Sequence, residues 1–171
     1  MAWEPSLERC LSYIHIVRDK AKKYNLNPDL VLAMIFQESD GHIWSYRVEK
    51  GLNLVYMPTV FHKKLFISYD TECLFQNTSW GVLHILGVKA RELGFLDHLP
   101  MLLQVETGLE WGCKAIDSFR KIFPYEEDYI SAYNGGAGAV YKKTIAGYSN
   151  QAYVDGVKMR WASIERENLF T

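Results

Sequence analysis

Residues 27–40 read Asn27-Pro28-Asp29-Leu30-Val31-Leu32-Ala33-Met34-Ile35-Phe36-Gln37-Glu38-Ser39-Asp40, and the reading of this stretch decides the fold. Asn27 suits an N-cap, because its side-chain oxygen can accept from the free amides of a helix start. Pro28 fits the first helical position, and Asp29 complements the positive end of the helix dipole. Val31, Met34 and Ile35 then fall on one face at helical spacing, and Glu38 is the next residue on that face. The stretch therefore predicts a buried helix that ends in a carboxylate. A carboxylate buried without a partner is costly and tends to hold its proton. That is the state required of a general acid, for example in glycosidic cleavage. On the helix alone the commoner alternative is a partly exposed glutamate in the last turn, followed by a Ser-Asp-Gly stop.

The rest of the composition bounds the answer. A chain of 171 residues, 49% hydrophobic and 14% aromatic, predicts one domain over residues 1–171 with a sizeable core. The formal net charge of −1 argues against a nucleic-acid binder that relies on bulk positive charge. Cys10, Cys73 and Cys113 are odd in number and form no CxxC or Cys/His cluster, so they read as reduced thiols. His15, His42, His62, His84 and His98 show no metal-ligand spacing, and neither a metal nor a cofactor is expected. The longest apolar run, Leu30 to Phe36, is too short to span a bilayer. The N-terminus Met1-Ala2-Trp3-Glu4-Pro5 lacks the basic-then-apolar order of a signal peptide.

Around the Glu38 helix the expected elements are mostly short helices. Residues 5–24 predict a first helix with a stripe of Leu7, Leu11, Ile14, Val17 and Ala21, which should pair with the Glu38 helix as a hairpin. Residues 41–57, punctuated by Gly41, Gly51 and Asn53, predict a short hairpin or irregular lobe. Residues 58–65 suggest a turn or two of helix, and residues 69–77 a polar connection with a short helix from Thr71. Residues 78–86, Thr78-Ser79-Trp80-Gly81-Val82-Leu83-His84-Ile85-Leu86, predict a helix capped by Thr78 or Ser79. Gly81 inside it weakens a helix by roughly 1 kcal/mol relative to alanine, which suggests a close approach to the backbone by a ligand or by the protein itself. Helices are also expected over residues 88–93, 108–123 (ended by Pro124), 127–133 and 150–167, the last carrying Tyr153, Val157, Trp161 and Ile164. The fold class is mainly α with a small irregular or β-hairpin lobe.

Glu38-Ser39, then Ser79-Trp80-Gly81-Val82-Leu83-His84, then Ala132-Tyr133-Asn134-Gly135-Gly136 resemble, in order and content, the soluble lytic transglycosylase family. Its pattern is Glu-Ser, then Ser-x-Gly-Leu-Met-Gln, then Ala-Tyr-Asn-Ala-Gly. Two further segments, Ala90-Arg91-Glu92-Leu93-Gly94-Phe95 and Gly108-Leu109-Glu110-Trp111-Gly112-Cys113, are similar to phage-borne members. The resemblance runs over residues 27–157. It implies a goose-type lysozyme-like fold and cleavage of the β-1,4 bond between N-acetylmuramic acid and N-acetylglucosamine in peptidoglycan. The chain departs from the pattern at Val82-Leu83-His84, where the family has Leu-Met-Gln. A histidine can still hydrogen-bond there, but its charge changes near neutral pH.

The resemblance assigns roles. Glu38 would be the single catalytic acid/base, closing a 1,6-anhydro ring on the muramic acid without a second carboxylate. Tyr133 would bring its hydroxyl near Glu38, Asn134 would hold its turn or bond substrate, and Ser79 would bond near Glu38 or the N-acetyl group. Gly81 would let the sugar approach, with Val82, Leu83 and His84 lining the cleft. Ser39 reads as a helix-end residue that bonds backbone. Trp44, Tyr46, Tyr56, Trp80, Tyr141 and Tyr148 are candidates for stacking on sugar rings, of which one or two are expected in the groove. For a hydrolytic muramidase, a second carboxylate would sit roughly 6.5–9.5 Å from the acid if the enzyme inverts. Asp40, Glu49, Asp70 and Glu72 are the candidates, Glu49 first, although a structural pair with Arg47 is its commoner role. A peptidoglycan-binding protein that lost turnover is the third reading, kept open by His84. The partner would be glycan strands, the protein a monomer without membrane insertion. It would be made in a host bacterial cytoplasm and reach the wall through a holin or within a virion.

Overall fold

The computed structural model describes residues 4–170. Its organising element is the helix α3, Pro28–Glu38, with α1 (Glu4–Cys10) and α2 (Ile14–Lys23) before it. The Asn27 side chain accepts from the amides of Asp29 and Leu30, at 2.8 and 3.4 Å, and Pro28 occupies the first turn. The cap is the one read from sequence. The face is not: every residue from Leu30 to Phe36 is buried, so α3 is a central helix packed on all sides and not an amphipathic one. Both α2 and α10 (Gln151–Glu165) pack against it.

The first predicted helix is broken. A tight 3-10 turn over Leu11–Tyr13 separates α1 from α2. It points Leu11 outward, 57% exposed, and brings Cys10 and Tyr13 inside. The Tyr13 hydroxyl donates to the Gly41 carbonyl at 2.9 Å, a long-range bond that a continuous amphipathic helix would not make.

Residues 78–86 correct the sequence reading most. They form no helix. Strands β1 (Tyr46–Val48), β2 (Thr78–Trp80) and β3 (Ile85–Leu86) make an antiparallel sheet in the order β1-β2-β3, with Arg47 opposite Ser79 and Trp80 opposite Ile85. Gly81 and His84 both adopt left-handed backbone, φ +71° and +45°, which stops a helix and turns the chain between β2 and β3. The Gly81 amide donates to the Ser45 carbonyl at 2.8 Å. The expected hairpin within residues 41–57 is therefore half of a pairing whose other strand lies some thirty residues on.

Two short helices, α4 (Pro58–Lys64) and α5 (Tyr69–Gln76), follow β1, the second capped by Ser68. After the sheet come α6 (Gly87–Glu92), a 3-10 segment over Leu99–Leu103, and α7 (Val105–Arg120). Then α8 (Glu126–Gly135) and α9 (Ala137–Tyr141) precede α10. One apolar core surrounds α3. A smaller one, with Trp80, Ile85, Phe95 and Leu102, lies beneath the sheet. The Arg91 and Glu72 side chains, both 0% exposed, pair at 2.8 Å and join α5 to α6. Among the described residues no helix is long and apolar enough to cross a membrane.

Candidate functional site

The last residue of α3 opens into a groove of about 820 Å³. Glu38, Glu49, Ser79 and His84 line one part of it, and Tyr133, Asn134 and Gly135 another. The groove continues over Lys89, Phe119 and Ile122. Clefts of roughly 300–1,000 Å³ commonly hold drug-sized ligands.

Glu38 is hydrogen-bonded at one oxygen and faces an imidazole at the other. Tyr153, on α10, donates its hydroxyl to Glu38 Oε1 at 2.6 Å. His84 Nδ1 lies 3.6 Å from Oε2, and each of these two side chains is 7% exposed. The far side of the imidazole is fixed too: Nε2 is 2.6 Å from Ser45 Oγ. Burial, and next the nearby Glu38 charge, push the Tyr153 phenol well above its ordinary range. Tyr153 therefore stays protonated and acts as a donor. This residue was missed from sequence. It sits four positions before Val157 on the apolar face of a helix, and nothing local separates it from a core aromatic.

Tyr133 is close enough to Glu38 to feel its charge, but its hydroxyl is engaged elsewhere. Its hydroxyl donates to the Leu83 carbonyl at 2.7 Å and lines the groove without bonding Glu38. Burial, and then the Glu38 charge, raise its pKa well above the usual value. Asn134 lines the groove and accepts from the Asn150 amide at 3.0 Å.

Ser79 bonds Glu49 in place of Glu38. Its hydroxyl donates to Glu49 Oε1 at 2.5 Å, where Arg47 Nε and Nη2 also donate, at 3.1 and 2.9 Å. Burial alone would raise the Glu49 pKa. The hydrogen bonds from Arg47 and Ser79 and the Arg47 charge outweigh it, and the net shift is downward. Glu49 is thus an ionised carboxylate in the same groove as Glu38, paired with Arg47.

Gly81, Val82 and Leu83, expected to touch ligand, lie under the groove floor. All are buried and none is part of the groove's lining. A Cβ on Gly81 would collide with the Leu102 carbonyl, so the close approach that glycine permits here is made by the protein's own backbone. The Val82 carbonyl accepts from Ser39 Oγ at 2.8 Å, and the Leu83 carbonyl is taken by Tyr133. Ser39 also reaches the Ile35 carbonyl at 3.3 Å, the helix-end role read from sequence.

The expected aromatic platform is absent from the lining. Trp44, Tyr46, Tyr56, Trp80, Tyr141 and Tyr148 lie elsewhere, and Phe119 and Tyr133 are the aromatic groups in the groove. Tyr46 stacks on Trp80 with centroids 6.0 Å apart, and Trp44 is 70% exposed. Of the other carboxylates, Asp40 pairs with Arg9 and Ser6, Glu72 is buried against Arg91, and Asp70 is exposed on α5. None of them lines the groove. Among the described residues no group of three or more His, Cys, Asp or Glu is placed to hold a metal ion, and Cys10, Cys73 and Cys113 are free thiols. No family model matches the chain, and no curated protein matches it.

Proposed function

We propose that this protein is a peptidoglycan lytic transglycosylase with a goose-type lysozyme-like fold, similar to phage-borne members of that family, and that Glu38 is its single acid/base. The observation that carries the reading is the setting of Glu38. Its carboxyl is nearly buried at the end of a helix whose residues Leu30 to Phe36 are all apolar and buried, opens on the groove, and is oriented by Tyr153 at one oxygen, with the other facing His84. That arrangement fixes the acid's geometry before substrate arrives, which is where positioned acid catalysis gains its advantage.

In this mechanism protonated Glu38 gives its proton to the glycosidic oxygen, and the C1–O bond breaks as the leaving sugar departs as an alcohol. The resulting Glu38 carboxylate takes the proton of the muramic C6 hydroxyl. The C6 oxygen then bonds C1, closing the 1,6-anhydro ring and returning Glu38 to its protonated form. The Tyr153 hydrogen bond to Oε1 keeps the carboxyl oriented through both proton transfers. Action on the wall from the bacterial cytoplasm or from a virion belongs to the same proposal.

A second reading, a hydrolytic muramidase, is favoured by one observation: Glu49 is ionised and lines the same groove, where it could activate water. Mass spectrometry of sugars released from purified peptidoglycan separates the two. Products ending in anhydro-muramic acid support the transglycosylase. Ends heavier by one water support hydrolysis and make Glu49 the base. Glu38→Gln should abolish release in either case, and undiminished release by that variant overturns the assignment. Binding to the wall without any products would identify a binding protein.

A further inference from the structure

His84 is the residue in the site that the acid/base scheme leaves without a task. Its backbone is left-handed, φ +45°, an uncommon state for a residue with a side chain that persists only where the surroundings enforce it. Its ring is buried, with Nε2 committed to Ser45 Oγ at 2.6 Å. Nδ1 has no hydrogen-bond partner and faces Glu38 Oε2 at 3.6 Å. Oε1 is already occupied by Tyr153. A buried ring nitrogen without a partner is unfavourable, and the group it faces is the carboxyl oxygen that Tyr153 does not bond.

We infer that His84 is a positioning residue that shares one proton with Glu38, so that the acid in the groove titrates as a pair and not as a lone carboxyl. For the kinetic part, the inference rests on Glu38 being the acid proposed above. Ser45 serves both forms of the pair by accepting from Nε2–H, which keeps its hydrogen whichever group holds the shared proton. When Nε2–H donates to Ser45, Nδ1 carries a lone pair that accepts the proton of the Glu38 carboxylic acid. When Nδ1 holds the proton, it donates to the Glu38 carboxylate. The other charged or titratable groups around the pair are Arg47 and Glu49 from the β1 side, Tyr133 from α8 and Tyr153 from α10. Arg47 and Glu49 pair with each other at 2.9 Å and keep their charges, Arg47 acting also on Glu38 and Glu49 on His84, and both phenols stay protonated. None of them supplies a competing proton. Interacting sites of this kind lose their protons in two steps that belong to the pair. A glutamine, the residue of the similar family at this position, could hydrogen-bond Glu38 but not hold its proton.

The consequence concerns the working pH. The pair keeps its one proton until the second, histidine-like step, whereas a lone carboxyl loses its proton in the carboxylate range. In relative rate, the alkaline limb should therefore fall at a histidine-like pH in the wild type. In His84→Gln, and in His84→Asn, which tolerates left-handed backbone better, its midpoint should move down by about two pH units, the interval between the ordinary values of the two groups. An alkaline limb that stays in place in both variants overturns the inference. The second measurement needs no activity: the ring signals of His84, assigned by their loss in His84→Asn, are titrated by NMR in the wild type and in Glu38→Gln. Removing the carboxylate should lower the His84 midpoint by about one unit or more. An unchanged midpoint overturns the inference even if sugar is released. A shifted midpoint in a protein that releases no sugar sustains the shared proton while refuting the transglycosylase reading.

Discussion

Replacing Arg91 with methionine should bring the protein close to its stability limit. Arg91 and Glu72 are both 0% exposed. Arg91 Nε and Nη2 donate to the two Glu72 oxygens at 2.8 and 3.0 Å, and Nη1 donates to the carbonyls of Phe95 and Asp97 at 2.8 and 2.7 Å. Its guanidinium also lies 4.2 Å from the centre of the Phe61 ring. Methionine fills the space of the stem and keeps the apolar contact, but it leaves the Glu72 carboxylate with the Gln76 amide, 2.8 Å away, as its remaining side-chain donor. Removing one partner of a buried pair costs about 3–5 kcal/mol. The stranded Phe95 carbonyl adds about 1 kcal/mol or more, while Asp97 is exposed and water can reach its carbonyl. The sum, about 4–6 kcal/mol, is a large part of the roughly 5–15 kcal/mol that holds a domain folded. At about 2–4 °C per kcal/mol for a chain of this size, the Tm should fall by about 10–20 °C. The double variant Arg91→Met/Glu72→Gln removes the uncompensated charge and should recover about half of the loss. Thermal melts followed by circular dichroism decide it. A fall in Tm under about 3 °C for the single variant, or a double variant no more stable than it, would refute the reasoning.

Three further outcomes follow from the site and its supports. Tyr153→Phe removes a donor to Glu38, an interaction of about 1.5–3 kcal/mol when the partner is charged, so sugar release should slow about ten- to a hundredfold; an unaltered initial rate would sink this role. Glu110 has its pKa lowered to about 2 from 4.5, since hydrogen bonds from Lys23, Tyr24 and Lys20 outweigh the opposing effect of burial. The folded state holds that proton less tightly, so this stability is present above pH 4.5 and is lost as pH falls towards 2; after allowing for partial exposure it amounts to about 1–2 kcal/mol. The Tm gap between wild type and Glu110→Gln should therefore close between pH 6 and pH 2, and a gap of constant size would contradict it. Gly81→Ala combines the Leu102 collision with a positive φ and should destabilise by about 2 kcal/mol or more; had Gly81 served ligand alone, the melt would be unchanged and only binding would weaken.

The parts of the fold legible in sequence were those whose cause lies within a few residues. The Asn27-Pro28 cap and the helix over the Tyr133 segment depend on near neighbours and stand where they were read, while α7 ends at Arg120, three residues short of the expected Phe123. The error over residues 78–86 has the opposite cause. Thr78, Trp80, Val82 and Ile85 satisfy a helical or an extended pattern, and the choice is made by the Tyr46–Val48 strand, which offers β2 its backbone partners. Gly81 was flagged correctly as a point of close approach, but the approaching group, the Leu102 carbonyl, belongs to a distant segment. The break at Leu11–Tyr13 was hidden for the same reason, since it is tied to Gly41 through Tyr13.

By itself the sequence determined a buried helix with a capped start and a glutamate at its end. It also supplied the residues that line the groove with that glutamate: Glu49, Ser79, His84, Tyr133 and Asn134. Only the tertiary structure decided their pairing. Tyr153, and not Tyr133, bonds Glu38 across 115 positions of chain, Ser79 serves Glu49, and His84 faces the second oxygen of Glu38. Caps, turns and stripes arise from interactions a few residues long. Which hydroxyl reaches which carboxylate depends on how α10 and the β2–β3 turn close over the end of α3, and no local pattern encodes that closure.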